Sequence, residues 1–249
     1  MNSIKTNMVE HRQPSALVRF TNWATRNWVW GVCFILGIYI GLPWLAPVFM
    51  ELGWTRAGNI IYTLYSTQCH QLPERSFFLF GPKTMLSLNE VQTIWENTNS
   101  PLILRKFIGN PDVGWKVAWS DRMVYMYTSV IFFAAFFFAP RKSRLKPLPW
   151  WGLFLLLLPM AIDGGTHFMS DLSGIGNGFR DSNLWLAILT NDTFPATFYV
   201  GDALGSFNSW MRLISGILFG LGVVWFFFPH VQKGFYTPTI HYESDFRVQ

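Results

Sequence analysis

The sequence predicts an all-α fold: an integral membrane protein with about four transmembrane helices and short external helices. The composition is 51% hydrophobic and only 13% charged, whereas a soluble domain carries about 25% charged residues. The mean hydropathy of +0.24 agrees with this class. The chain also contains 13 Trp, and Trp side chains are enriched at the two membrane–water interfaces.

The first long apolar run, from Trp28 to Met50, contains no charged residue. A helix of about 20 apolar residues is long enough to cross the hydrocarbon core. A cleaved signal peptide would have a shorter apolar segment that ends at a small-residue cleavage site, and neither feature is clear here. We therefore predict a retained helix at about 28–50, preceded by a basic cytoplasmic segment at 1–28.

Three further apolar runs predict the remaining spans of a single membrane domain, residues 29–229. These runs lie at about 122–140, 150–169 and 210–229. The segment between the first two spans is mixed in character and predicts short helices outside the bilayer. Residues 230–249 are predicted to form a short cytoplasmic tail.

The charges predict the orientation of these spans. The loop between the second and third spans is strongly basic, and short loops rich in Lys and Arg stay in the cytoplasm. Both termini are then cytoplasmic, the acidic 170–208 loop is external, and the protein is a multi-pass protein of the inner (plasma) membrane. The net charge of +5 reflects this orientation and an attraction to anionic lipids, so no nucleic-acid partner is expected. The bases of the short loop are Arg141, Lys142, Arg144 and Lys146.

Most polar residues in unusual positions fall near the external face of this topology. Asp163 lies ~20 Å into a core of about 30 Å, where a lone carboxylate is costly. It needs a partner, and Arg122 and Arg212 enter the membrane from the same side. The candidates for a pocket or binding site are Cys69, His70, Arg75, Asp121, Arg122, Asp163, His167, Asn208 and Arg212.

Glycine spacing predicts where helices approach closely. Gly37 and Gly41 in the first span, and Gly216 and Gly220 in the fourth, have the GxxxG spacing of tightly packed helices. The two glycines of the DGGTH segment weaken the helix beside Asp163. We expect the backbone to bend there and to turn polar groups toward a cavity.

Metal, redox and hydrolytic sites have little support. Zinc takes four ligands, but adjacent residues such as Cys69 and His70 point in different directions, and the chain has no CxxC or HxxxH pattern. Cys33 is predicted near the inner face, too far from Cys69 for a disulfide. Asp163 and His167 suit acid–base chemistry, although the chain has no GxSxG motif. The cofactor is therefore unknown, and no metal ligand is assigned.

Several segments of the chain together resemble one family. The segments CHQLPERSFFLFG, SDR, IDGGTH, FRDSN and SFNSWMRLISGILFG occur in this order. They resemble an uncharacterised family of predicted prokaryotic integral membrane proteins, a domain of unknown function, over roughly residues 60–229. The resemblance implies a small multi-span protein with these polar residues as its signature, and it implies no reaction.

The preferred functional hypothesis is a polar pocket at the external face that binds a polar or anionic group such as a lipid headgroup. Arg75, Arg122 and Arg212 would supply it, because arginine forks suit phosphate and carboxylate. One alternative is a membrane-embedded enzyme that uses Asp163 and His167, and another is a non-catalytic accessory subunit of a membrane complex. A salt-bridge network that only locks the helices together also stays open. The expected partners are membrane lipids and, within the membrane, further copies of the chain or other subunits.

Overall fold

The computed structural model describes residues 15–235 in full and the backbone of residues 236–245. Within these residues, four helices are long and apolar enough to cross a membrane. This finding confirms the predicted fold class, an all-α integral membrane protein with about four spans. The spanning segments are Ala16–Glu51, Asp121–Arg141, Trp150–Asp171 and Phe207–Phe235.

The helices and strands are numbered here in chain order. The helices are α1 (Ala16–Glu51), α2 (Thr55–Tyr65), α3 (Leu88–Ile94), α4 (Pro101–Leu104), α5 (Asp121–Phe132), α6 (Trp150–Asp171), α7 (Phe179–Ser182), α8 (Leu184–Leu189), α9 (Ala196–Tyr199) and α10 (Phe207–Asp245). The strands are β1 (Ser76–Leu79), β2 (Gly109–Asn110) and β3 (Gly114–Ser120). A 3-10 turn, Pro73–Arg75, precedes β1, and a π-helical stretch, Phe133–Phe138, continues α5.

Two spanning helices extend beyond their predicted ends. α1 begins at Ala16 rather than near residue 28, because Ser15 caps it and its Oγ accepts the N–H of Val18 at 3.4 Å. α10 continues past residue 229 to Asp245. The 142–149 loop joins the second and third spans, and we call that side of the bundle the hairpin end. At the opposite side, the sheet end, α1 and α6 finish and α5 and α10 begin.

A three-stranded antiparallel sheet lies at the sheet end, where the sequence predicted only short helices. Its strand order is β1-β3-β2. Strand β3 is buried along most of its length, so it lacks the apolar–polar alternation that signals a half-buried strand. Ser76 pairs with Ser120, and this register brings Arg75, just before β1, beside Asp121, just after β3.

Aromatic side chains fix this sheet to the first two helices. Trp119 of β3 is fully buried, and its ring lies 5.0 Å from that of Tyr39 and 5.4 Å from that of Tyr65, measured between centroids. Such edge-to-face contacts add to the free energy of burial. The position of the residues that follow β3 is thereby set by packing against α1 and α2.

Only one of the two predicted glycine pairs lies in a helix contact. A Cβ added to Gly220 would lie 2.0 Å from Oγ of Ser129, and one added to Gly216 would lie 2.9 Å from Cβ of Tyr125. α10 and α5 therefore approach closely at these glycines, as predicted. The prediction is wrong for Gly37 and Gly41, which have no atom within 4 Å of an added Cβ, because α1 packs through its other face.

Candidate functional site

Nine ionisable side chains meet at the sheet end, and we call them the arginine–aspartate network. They come from the 3-10 turn, from α5, α6, α7 and α10, and from the loop before α10. Most of them are buried, so each depends on the others for its polar contacts. The members are Arg75, Arg122, Arg180, Arg212, Asp121, Asp163, Asp171, Asp202 and His167.

Asp202 is the member bonded to the largest number of separate segments. Its Oδ2 accepts Nε–H of Arg75 at 2.7 Å, its Oδ1 accepts Nη1–H of Arg212 at 2.6 Å, and Nε2 of His167 lies 3.2 Å from Oδ1. Burial acts to raise the pKa of Asp202, but the two guanidinium charges and the histidine contact outweigh it. The pKa therefore lies well below its ordinary value, and Asp202 is ionised at neutral pH.

Asp163 binds two arginines, one of which was predicted. Its Oδ2 accepts Nη2–H of Arg122 at 2.7 Å, and its Oδ1 accepts Nη2–H of Arg180 at 2.7 Å. The predicted pairing with Arg212 is wrong. That side chain lies beside the start of α5, so its Nε–H is donated to Asp121 at 2.8 Å.

Arg75 joins the 3-10 turn to the end of α6. Its two Nη groups donate to the two carboxylate oxygens of Asp171 at 2.7 and 2.8 Å, the bidentate geometry that gives the strongest arginine–carboxylate pairs. Burial acts to lower the pKa of Arg75, but Asp202 and Asp171 outweigh it and hold the pKa above its ordinary value. Arg75 is therefore charged and fully engaged.

The network borders a cavity of about 140 Å³ at the sheet end. Three arginines and two aspartates line its wall, and these arginines also pair with Asp163 and Asp202, which lie outside the wall. His70, His167 and Ser120 are the other polar residues that line the space. The charged residues are Arg75, Arg122, Arg212, Asp121 and Asp171.

Arg122 differs from the other arginines of the network because part of its guanidinium has no partner. Its Nη2 contacts Asp163 and His167, whereas its Nε is buried without a hydrogen bond from the described residues. Its side chain is 22% exposed, against 2–8% for the other three arginines. Arg122 therefore has donors to spare at the cavity.

His70 lies in the wall of the same cavity, and the residue is exposed. Its Nδ1 accepts the N–H of Leu72 at 3.1 Å, so the neutral ring carries its proton on Nε2. Partial exclusion of water and the positive charges of the arginines in the wall lower the pKa of His70. His70 is therefore a neutral hydrogen-bond donor at pH 7.

A glycine makes room for Arg122. A Cβ added to Gly164 would lie 2.9 Å from Nη1 of Arg122, whereas one added to Gly165 would meet no atom within 4 Å. The two glycines do not interrupt the helix, because α6 is continuous from Trp150 to Asp171. Gly164 lets the guanidinium lie against the helix backbone.

Three of the predicted site residues lie outside the cavity wall, and two of these, Cys69 and Asn208, are also outside the network. Cys69 is buried and its Sγ lies 3.3 Å from the backbone N of Ser120, so it fixes the end of β3. Asn208 accepts Nε–H of Arg180 at 3.1 Å and donates to the carbonyl of Arg180 at 2.8 Å. Both residues position neighbours of the cavity. The other seven predicted residues belong to the network or line the cavity.

Sequence reasoning missed three members of the network: Arg180, Asp171 and Asp202. Arg180 lies in the FRDSN segment, which contributed to the family resemblance, and this segment was the available signal. Asp171 is two turns after Asp163 on α6. Asp202 lies in a loop without a local pattern. In the described part of the chain, no three His, Cys, Asp or Glu side chains converge in a way that could hold a metal ion.

Comparisons with known proteins agree with the membrane class. Residues 113–226 match the family model described as Predicted membrane protein (DUF2085). The expected resemblance to an uncharacterised family of predicted membrane proteins is thereby confirmed. The matched region contains every member of the network except Arg75. The chain is also 28% identical over 161 residues to Uncharacterized protein MJ1492 of Methanocaldococcus jannaschii, across 63% of this chain and 79% of that protein. No solved structure matches the chain.

Replacing Asp163 tests the pairing directly. We expect Asp163→Ala to lower the free energy of unfolding by about 3–5 kcal/mol, because it leaves Arg122 and Arg180 without their carboxylate. Asp112→Ala, at an exposed site, is the matched control and should change stability by less than about 0.5 kcal/mol. Thermal and denaturant unfolding of the detergent-purified protein measure both. Equal stability of Asp163→Ala and the wild type would show that the pairing is wrong.

Proposed function

We propose that this integral membrane protein binds an anionic group, a phosphate or carboxylate such as that of a lipid headgroup, in the cavity at its sheet end. Arg122 and His70 are the proposed ligands. In this proposal the sheet end is external, the termini are cytoplasmic, and the protein resides in the inner (plasma) membrane. The basic loop at the hairpin end supports that orientation.

The unpartnered donors of Arg122 carry the proposal. Nε of Arg122 makes no hydrogen bond with the described residues, and a buried donor without a partner costs about 1–3 kcal/mol. An anion in the cavity would accept from this guanidinium and from Nε2–H of His70.

The size of the cavity suits a small anionic group. Its volume is about 140 Å³. In liquid water, about four or five molecules occupy this volume, at ~30 Å³ each. A phosphate or carboxylate group fits this space, whereas a whole lipid does not. The remainder of a lipid would therefore lie outside the cavity, along the exposed apolar surface of α6 near Phe168.

The enzyme hypothesis has less support than the binding hypothesis. Both carboxylate oxygens of Asp163 accept hydrogen bonds from arginines, so neither is free to exchange a proton with a substrate. His167 lines the cavity, but it lies between Asp202 and the backbone carbonyl of Asp163. A purely structural network would account for Arg75, Arg180 and Arg212, and it leaves the spare donors of Arg122 unexplained.

Binding can be separated from folding with a pair of glycine variants. Gly164→Ala displaces Nη1 of Arg122, while Gly165→Ala adds the same methyl group where no atom lies within 4 Å. Both replace a helical glycine by alanine, which favours the helix by about 1 kcal/mol.

We expect inorganic phosphate, or short-chain phosphatidylglycerol, to raise the melting temperature of the wild type and of Gly165→Ala. This rise should be saturable at constant ionic strength. For Gly164→Ala and Arg122→Gln, we expect the probe concentration at half-saturation to be at least tenfold higher. The reason is that a hydrogen bond to a charged group contributes about 1.5–3 kcal/mol.

The two probes identify the source of the anion. A response to phosphatidylglycerol alone indicates a lipid headgroup, and a response to inorganic phosphate indicates a free anion; both support an anion site. The proposal is contradicted if neither probe stabilises the wild type more than chloride does, or if the two glycine variants respond alike.

Cysteine labelling tests the proposed orientation. Ser143 in the hairpin loop and Ser173 after α6 are both exposed, so each can be replaced by cysteine in turn. We expect a membrane-impermeant maleimide to label Ser173→Cys on intact cells without their outer membrane, and to label Ser143→Cys only after permeabilisation. The unmodified chain, with Cys33 and Cys69, gives the background. The reverse pattern would place the cavity on the cytoplasmic side.

A further inference from the structure

A second cavity, of about 160 Å³, lies on the other side of the Arg75–Asp202 pair. Arg75 lines the first cavity and Asp202 lines the second. The 3-10 turn, the start of α3 and the loops on either side of α7–α9 form its wall. Glu74 and Asp181 contribute two further carboxylates to that wall.

Glu74 is the unsatisfied group in this wall. It is 2% exposed, and neither of its carboxylate oxygens has a hydrogen-bond partner among the described residues. Buried polar side chains nearly always have a partner, so an orphaned carboxylate indicates a missing ligand, ion or water. None of the contacts of the arginine–aspartate network involves Glu74.

The neighbouring charges do not satisfy Glu74. Asp202 accepts from Arg75 and Arg212, so the guanidinium next to Glu74 in sequence is already engaged. Nζ of Lys116 donates to the backbone carbonyls of Gln71 and Arg105 at 2.8 and 2.7 Å. The carboxylate of Glu74 therefore has no side-chain partner among the described residues and can accept from a group in the cavity.

We propose that this second cavity binds a primary ammonium group, with Glu74 as its counter-ion. An ammonium group brings three donors and a compact charge, so it needs one carboxylate and a few neutral oxygens. Ser87 and Asn89 line the cavity and carry such oxygens. A divalent metal fits less well, because no group of three acidic, His or Cys side chains in the described residues is arranged so that it could hold a metal ion.

The charges around Glu74 give this binding a defined pH dependence. Burial raises the pKa of Glu74 to about 7, although Arg75 and Lys116 oppose that shift and Asp202 reinforces it. Burial likewise lowers the pKa of Lys116 to about 7. The neighbouring Asp181 also lines the cavity. Raising the pH from 6 to 8 ionises Glu74 and discharges Lys116, so both changes strengthen the binding of a cation that stays protonated.

The test is the melting temperature of the full-length protein in detergent with methylammonium chloride as the probe. Sodium chloride and tetramethylammonium chloride, at equal ionic strength, are the comparison salts, because they lack N–H donors. We expect methylammonium alone to raise the melting temperature, in a saturable way and more at pH 8 than at pH 6. Glu74→Gln should abolish the shift, whereas Glu96→Gln, at an exposed position, and Arg122→Gln should retain it.

Each outcome decides for or against the ammonium site. An equal shift with sodium or tetramethylammonium, a shift that persists in Glu74→Gln, or no shift in the wild type would overturn it. If Glu74→Gln does not fold, the comparison of salts on the wild type still decides. Short-chain phosphatidylethanolamine, compared with phosphatidylcholine, distinguishes a lipid amine from a soluble one. Retention in Arg122→Gln keeps this test independent of the anion site.

Discussion

The structure at the sheet end depends on the burial of ionised groups that can be satisfied only by one another. Asp202 shows this constraint most clearly, since its carboxylate meets Arg75, His167 and Arg212 from three separate segments. Each of these groups would be costly alone in a dry environment. Their mutual pairing therefore joins the 3-10 turn, α6 and α10 at one place.

The small sheet prepares this pairing. The register of Ser76 with Ser120 places Arg75 and Asp121 side by side. The close contact of α10 with α5 at Gly216 and Gly220 then brings Arg212 to Asp121. Two cavities lie on either side of the Arg75–Asp202 pair, one with spare donors on Arg122 and the other with a spare acceptor on Glu74. The two cavities therefore have complementary polarity.

The sequence was sufficient for the spans and for part of the site, because both follow from the intolerance of hydrocarbon for charge. Four apolar runs predicted four spanning helices, and Asp163 inside one of them predicted an arginine partner, which is Arg122. The position of a helix along the chain does not determine its rotation about its own axis, and this rotation decides which side chains meet. The pairing of Asp163 with Arg212 was therefore predicted wrongly.

Residues in loops were the hardest to predict. Arg180 lies in the short helix α7 and Asp202 in the loop after α9, and apart from the FRDSN segment nothing local indicates that they fold back onto α6. Strand β3 carries a buried lysine, Lys116, whose amine donates to two backbone carbonyls. A charged residue at a buried position departs from the apolar pattern by which a buried strand is recognised in a sequence. Glu74 was present in the PERSF segment, but its missing partner is visible only in three dimensions.

A double-mutant cycle on Asp202 and Arg212 tests most directly whether the buried ions depend on one another. The free energy of unfolding would be measured for Asp202→Asn, Arg212→Gln and the double variant in the same detergent. Direct pairing at 2.6 Å predicts that the double variant is less destabilised than the sum of the two single variants, with a coupling energy above about 1.5 kcal/mol. Additive losses, with a coupling energy near zero, would contradict the interdependence of these groups.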